Sequence, residues 1–292
     1  MSRALCIDVG GTNLRAGLSG ADDPGQPEPL GHWPAPGSRD AFVKRIAELL
    51  DVHGTTRLGM AIPGLADGTV CAWVPNLPYL DGIDLRALFA GIDIALGNDA
   101  QLALLAESVD GHAHDVSDAI LLAIGTGIGS AVLADGRIVR GAGGGATSFG
   151  WACADPTDGG DAAHGWLERH AAGRALDDVA ASLGLGDGAA LIAAARVGSQ
   201  AALDHLRPPS AALGVAAAAA VALLGSRAVI FAGGVADSLD VLAPLVEPVM
   251  RRQLPPHLRS VRLTAAKFGS RAGIVGASLA AHGHPTWVGR MP

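Results

Sequence analysis

The stretch IDVGGTNLRAGL, residues 7–18, decides the fold. An apolar run ends in a carboxylate at Asp8, a Gly-Gly-Thr-Asn turn follows, and a second apolar run begins at Leu14. This reads as a strand over 3–9, a tight turn, and a strand over 14–20. The arrangement returns at AIGTGIGSAVL, residues 123–133. There AILLAI (119–124) and SAVLA (130–134) are strands around a GTGIG turn, and ADGR turns the chain into a further strand, IVRG (138–141). A hairpin used twice suggests two similar lobes.

The turns have the composition of anion cradles. Glycines let successive N–H groups converge on one anion, because no Cβ stands in the way. Gly10, Gly11, Thr12 and Asn13 form one such turn beside Asp8, and Gly125, Thr126, Gly127 and Gly129 a second. Gly233 and Gly234 end an apolar run at AVIFAGGV (228–235), where a nucleoside can lie against bare backbone. Asp8 can orient Mg²⁺ through water, since that hard cation prefers oxygen ligands. The dinucleotide-binding GxGxxG logic fails, because the first turn leads into a strand rather than a helix, and the P-loop pattern GxxxxGK[ST] is absent. Any one Gly-rich turn is most simply a turn; three in this order are far more specific.

Around these turns the chain alternates. The Pro-rich stretch 24–36 reads as a loop, and 39–51 as a helix with Phe42, Val43, Ile46, Leu49 and Leu50 on one stripe. Strands are expected at 57–64 and 92–99, the latter running into the helix AQLALLAESV. Helices dominate 166–225, and a last apolar helix at 272–282 packs back on the core. The longest apolar run, 211–224, follows Pro208, Pro209 and Ser210. It reads as a buried helix starting there, shorter than the ~20 residues that span a bilayer.

The composition excludes several classes. A net charge of −7 with a pI near 5.7 argues against a phosphate-backbone binder. Cys6, Cys71 and Cys153 are odd in number and far apart, which fits a reducing compartment better than a disulfide framework. No signal-peptide pattern opens the sequence. The expectation is a cytoplasmic protein with no nucleic-acid or membrane partner.

The motifs DVGGTNLRAG, AIPG, VPNLPYLDGIDL, GNDAQLALLAE, GTGIG, GAGGGA, WLERHAAGRAL, FAGGV and RAGIVGASL occur in this order along nearly the whole chain. In this the chain resembles the ROK family of sugar kinases, bacterial-glucokinase-like members of the actin-like ATPase superfamily. The resemblance implies an α/β, two-lobed actin-like ATPase (ribonuclease H-like) fold with the active site in the interlobe cleft. It implies a small N-terminal lobe of residues 1–98 plus 283–292, a large C-terminal lobe of 99–282, and a homodimer. It also implies an ATP- and Mg²⁺-dependent kinase acting on the primary (6-) hydroxyl of a hexose or hexose-like substrate. Read locally, Asp99 is a helix N-cap; the resemblance makes it the general base that takes the proton of the attacking hydroxyl. The resemblance makes Asn98, Asn76, Gly64 and Glu168 substrate-binding residues, and Asn offers the donor and acceptor that vicinal hydroxyls need.

One segment departs from the family. Where ROK kinases carry Glu-x-Gly-His, this chain has Ser148-Phe149-Gly150-Trp151, and the three following zinc thiolates align with Gly159, Asp161 and Trp166. All four zinc ligands are missing, so no zinc is expected. Cys153, Asp155, Asp158, Asp161 and His164 have ligand chemistry, but a structural zinc favours four close Cys and His ligands. Trp151 and Trp166 are expected to replace the metal's tethering by packing. Ser148 and Trp151 at a sugar-facing position permit a substrate altered on that side, and the resemblance suggests an amino sugar or a C7-cyclitol as the alternative to a glucokinase-like hexose substrate. Two other classes compete. A non-catalytic sugar or nucleotide sensor conflicts with retention of Asp8, Asp99 and all three turns. A ROK-like repressor would carry a helix-turn-helix ahead of the first strand, which here begins within a few residues of Met1.

Overall fold

The computed structural model describes residues 3–288; positions 1–2 and 289–292 of the expected N-terminal lobe lie outside the described residues. The strands are β1 (Arg3–Val9), β2 (Asn13–Gly20), β3 (Glu28–Pro34), β4 (Arg57–Ile62), β5 (Leu65–Asp67), β6 (Val70–Trp73), β7 (Ile83–Asp84), β8 (Asp93–Asn98), β9 (Ala119–Ile124), β10 (Ile128–Ala134), β11 (Arg137–Ile138), β12 (Ala228–Ala232) and β13 (Arg262–Ala265). The helices are α1 (Arg39–His53), α2 (Leu85–Leu88), α3 (Asp99–Asp110), α4 (Trp166–Ala171), α5 (Gly173–Ser182), α6 (Gly188–Arg196), α7 (Gln200–Leu224), α8 (Leu239–Gln253), α9 (Ala272–Ala281) and α10 (Pro285–Val288).

Two five-stranded sheets have the same plan. The first runs β3-β2-β1-β4-β8 and the second β11-β10-β9-β12-β13. In each, a hairpin gives an antiparallel pair, β1 with β2 or β9 with β10, and the next two strands add in parallel. The repeated hairpin seen in the sequence therefore opens both sheets. A small third sheet, β5-β6-β7, was not foreseen.

The chain divides into two compact units. One gathers residues up to His114, Gly136–Ala146 and residues from Ser270; the other holds Asp115–Asp135 and Thr147–Gly269. These do not coincide with the sequence-based lobe boundaries of 1–98 plus 283–292 and 99–282. The helices α3 and α9 and the segment Gly136–Ala146 make the difference, because all three pack within the first unit. Along β1 the side chains alternate. Leu5, Ile7 and Val9 join Phe42, Ile46 and Leu50 of α1 in the core, while Cys6 and Asp8 face α9. Every residue of α9 is buried. It reaches β4 because Gly59 has no side chain: a Cβ there would stand 2.0 Å from the Ala277 carbonyl oxygen.

Two expectations are corrected. Residues 28–34 are not loop but β3, an edge strand paired with β2. Pro29 and Pro34 are tolerated because an edge strand leaves one side of its backbone unpaired. The helix expected to begin after Ser210 begins at Gln200, capped by the Ser199 side chain, and runs through Pro208 and Pro209. Burial of Leu206, Pro209 and Ser210 holds together what local propensity breaks. At 25 residues α7 is long and apolar enough, by length and composition alone, to cross a membrane. Leu206, Leu213 and Val221 are instead buried in the unit's core, with α8 and α4 packed against the helix.

Candidate active site

In the first unit, Asp8 is the next-to-last residue of β1 and lies opposite Arg15 of β2 in the antiparallel register. Their side chains form an ion pair at 3.5 Å. Burial pushes the Asp8 carboxyl above its ordinary range and Arg15 pulls it back. The first turn of α9 closes over Asp8. A Cβ at Gly273 would stand 2.7 Å from Asp8 Cγ, so any side chain there would have to displace the carboxylate. Neither Arg15 nor Gly273 was singled out in the sequence, although both lie inside the motifs DVGGTNLRAG and RAGIVGASL. The GGTN turn is closed by the Gly10 N–H, which donates to the Asn13 carbonyl at 2.7 Å. Gly11 lies against Asn76, whose Cβ would be 3.1 Å from a Cβ on Gly11. Gly11, Thr12 and Asn76 are exposed and so open to a ligand.

Asp99 begins α3, and the sequence reading of it as the N-cap is corrected. The cap is Asn98, whose Oδ1 accepts from the N–H groups of Ala100 at 3.0 Å and Gln101 at 3.2 Å. Asn98 Nδ2 donates to the Gly64 carbonyl at 3.0 Å, leaving one of its two N–H bonds for a ligand. Gly64 sits so close to β6 that a Cβ there would stand 2.1 Å from the Trp73 carbonyl oxygen. Relieved of capping, the half-buried Asp99 carboxylate accepts from the Ala100 N–H at 2.7 Å. Its pKa is pushed up to about 6, first by burial and then by the charge of Asp8, against the pull of the helix-start N–H groups and Asn98. Two supports were missed in the sequence. Asp81 Oδ1 accepts from the Val74 N–H at 2.5 Å and folds the loop that carries Asn76. The buried Gln101 donates to the Ala146 carbonyl at 2.6 Å and fastens the GAGGGA turn to α3.

In the second unit, the GTGIG turn joins β9 to β10. The Gly173 N–H at the start of α5 donates to the Gly125 carbonyl at 2.7 Å, and Arg174 Nε reaches the Thr126 carbonyl at 3.4 Å. Glu168 of α4 accepts from the Ile128 N–H through Oε1 at 2.9 Å. Gly129 lies in β10, opposite Ala123. Gly233 takes a left-handed φ of 76° at the end of β12, and a Cβ there would stand 2.5 Å from the Ile124 carbonyl oxygen. Ser130 Oγ donates to the Thr147 carbonyl and accepts from the Phe149 N–H, which fixes the segment carrying Ser148. A small cavity of about 270 Å³ opens there, lined by Thr147, Ser148, Phe149 and Ala152. A larger groove of about 540 Å³ beside Arg169, His170 and His205 contains none of the expected site residues.

The zinc-like segment is a loop whose polar groups serve one another. Asp155 accepts from the Thr157 N–H and hydroxyl, Asp158 from the Gly160 N–H and Arg169, and Asp161 from the N–H groups of Ala163 and His164. Cys153 is exposed, with its thiol on the Asp155 carbonyl. Among the described residues no group of three His, Cys, Asp or Glu side chains is placed to hold a metal. Trp166 stacks on His170 with ring centroids 4.3 Å apart. Trp151 does not share that packing: it is 51% exposed, because the short 3₁₀ turn at Phe149–Trp151 aims it outward.

A model of the ROK family matches residues 4–284. The chain belongs to the ROK family. Among curated ROK relatives, the N-acetylmannosamine kinase of Escherichia coli O9:H4 (strain HS) is 30% identical, over 96% of this chain and 98% of that protein. The glucokinase of Streptomyces coelicolor is 28% identical, over 95% and 97%. Among solved structures, a ROK family glucokinase from Streptomyces griseus in complex with glucose and AMPPNP superposes with a TM-score of 0.78 at 24% identity, covering 96% of this chain and 99% of that one. The fold is the mixed α/β, actin-like ATPase class expected from the sequence.

Proposed function

We propose that the chain is an ATP-dependent sugar kinase that phosphorylates the primary hydroxyl of a hexose or hexose-like substrate. The observation that carries this reading is Asp99. It is a half-buried carboxylate freed from capping by Asn98 and raised to about 6, the pKa of a general base poised near neutrality. Asp99 accepts the proton of the attacking hydroxyl while that oxygen bonds to the γ-phosphorus of ATP. The bond to the β–γ bridging oxygen breaks and ADP leaves. Little covalent help is needed from the protein in such a transfer; position and charge dominate. Asn98, Asn76 and Gly64 hold the sugar beside Asp99. The turn at Gly10–Asn13 in the first unit, and those at Gly125–Gly129 and Gly233–Gly234 in the second, each offer backbone N–H groups of the kind that receive phosphate. Asp8, beside a second carboxylate and only partly neutralised by Arg15, suits a hydrated cation; Mg²⁺ bound there through water would neutralise phosphate charge.

A finer reading has support of its own. The 30% identity to an N-acetylmannosamine kinase, and Ser148 beside an apolar cavity, support an amino sugar as a substrate beside glucose, with a C7-cyclitol as the further alternative. In this reading the enzyme works in the cytoplasm, where ATP is available, and as a homodimer. The experiment is a coupled ADP-release screen with glucose, mannose, N-acetylmannosamine, amino hexoses and C7-cyclitols. Phosphorylation of one of them, lost in Asp99→Asn, is expected. Sugar binding without turnover across the panel refutes the kinase reading in favour of a sensor.

A further inference from the structure

Glu168 stands where the family resemblance places a sugar ligand, yet much of its carboxylate is committed elsewhere. Oε1 accepts from the Ile128 N–H of the GTGIG turn at 2.9 Å, and Oε2 from the Gly165 N–H at 3.3 Å. The surroundings are cut to admit it. A Cβ on Gly127 would stand 2.7 Å from Glu168 Oε1, and one on Gly150 2.7 Å from Glu168 Cγ. Two glycines from separate segments thus leave room for one side chain. Gly150 belongs to the segment that departs from the family, and Gly127 to the phosphate-type turn. A carboxylate is a strong acceptor for a backbone N–H. Its bond to Ile128 fixes the plane of the peptide at the end of the turn, and with it the direction of the N–H groups just before it.

We propose that Glu168 is a positioning residue for the nucleotide: it holds the GTGIG turn in the conformation that receives phosphate. The inference rests on the kinase reading and deepens it. Glu168 acts on ATP through the turn, whatever sugar its remaining lone pairs meet. The competing role is that of a Glu that merely caps α4, which would affect melting and leave nucleotide affinity alone.

The test uses the full chain and three variants. Calorimetry with AMPPNP gives nucleotide affinity, steady-state kinetics give KM for ATP and for sugar separately, and hydrogen exchange reports on peptides covering 125–129. Glu168→Ala is expected to weaken AMPPNP binding by about tenfold, the scale of one lost hydrogen bond to a charged group. It should also speed exchange at 125–129. Glu168→Gln keeps an oxygen for the Ile128 N–H and is expected within about threefold of wild type. Gly127→Ala pushes the carboxylate aside without removing it and is expected to resemble Glu168→Ala, which keeps the idea testable if Glu168→Ala folds poorly. A rise confined to the sugar KM, or equal damage from Gln and Ala, overturns the proposal. Wild-type protein that binds AMPPNP but phosphorylates no sugar overturns only the kinase reading; failure to bind AMPPNP at all overturns both.

Discussion

Asp99→Asn should make the protein more stable while it removes turnover. A carboxyl raised from 3.8 to about 6 holds its proton more tightly in the folded chain than in the unfolded one. Its favourable contribution is therefore complete below pH ~4 and is lost as pH rises through about 6. Above that, the folded state carries an ionised carboxylate at a cost of about 3 kcal/mol, taking ~1.4 kcal/mol per pH unit of separation. Partial exposure of Asp99 screens the charge and reduces this to roughly 2 kcal/mol. Asparagine keeps the oxygen that accepts from Ala100 and loses the charge. For a chain of this length, 2 kcal/mol corresponds to about 3 °C in melting temperature. The assay is thermal or urea unfolding of wild type and variant at pH 5 and pH 8, in EDTA without nucleotide. The variant's advantage should be clear at pH 8 and about half as large at pH 5. Turnover should fall by ~10²–10⁴, the usual worth of a general base. A variant less stable than wild type at pH 8, or an advantage that ignores pH, refutes the reasoning.

The remaining predictions follow from neighbouring features. The profile of kcat/KM against pH should rise to a plateau above pH about 6, because Asp99 works deprotonated; a flat profile from pH 5 to 8 removes it as the base. Gly273→Ala would force a methyl group onto Asp8, and turnover should drop by at least about tenfold with no change at Asp99 itself; near-normal turnover means the first turn of α9 yields easily. Asn98→Ala strips the α3 cap and the tie to Gly64, costing about 1–2 kcal/mol in urea unfolding together with a higher sugar KM. Elemental analysis of protein purified without chelator should find zinc far below stoichiometric; one zinc per chain would show that the loop 153–164 rearranges to bind it.

How much of the site was legible in the sequence differs from residue to residue. The Gly-rich turns could be located because their chemistry is local: bare backbone in a tight reversal shows in composition alone. Asp8 at a strand end was legible for the same reason. The division of labour between Asn98 and Asp99 was not, since either residue type caps a helix and only the backbone path decides which does. The edge strand at 28–34 was hidden by prolines that deny it any local strand signal. The true start of α7 was hidden by Pro208 and Pro209, which burial outweighs.

The sequence by itself determined the duplicated strand–turn–strand, the order of the motifs, and the absence of zinc-ligand residues, because each depends on residues adjacent in the chain. Only the tertiary structure decided that α9, from the far end of the chain, closes over Asp8 through Gly273. It also raised Asp99 by burial and by the charge of a residue 91 positions away, and lodged Glu168 between Gly127 and Gly150. Those three effects arise from burial and approach between distant segments, and neither burial nor approach exists until the chain has folded.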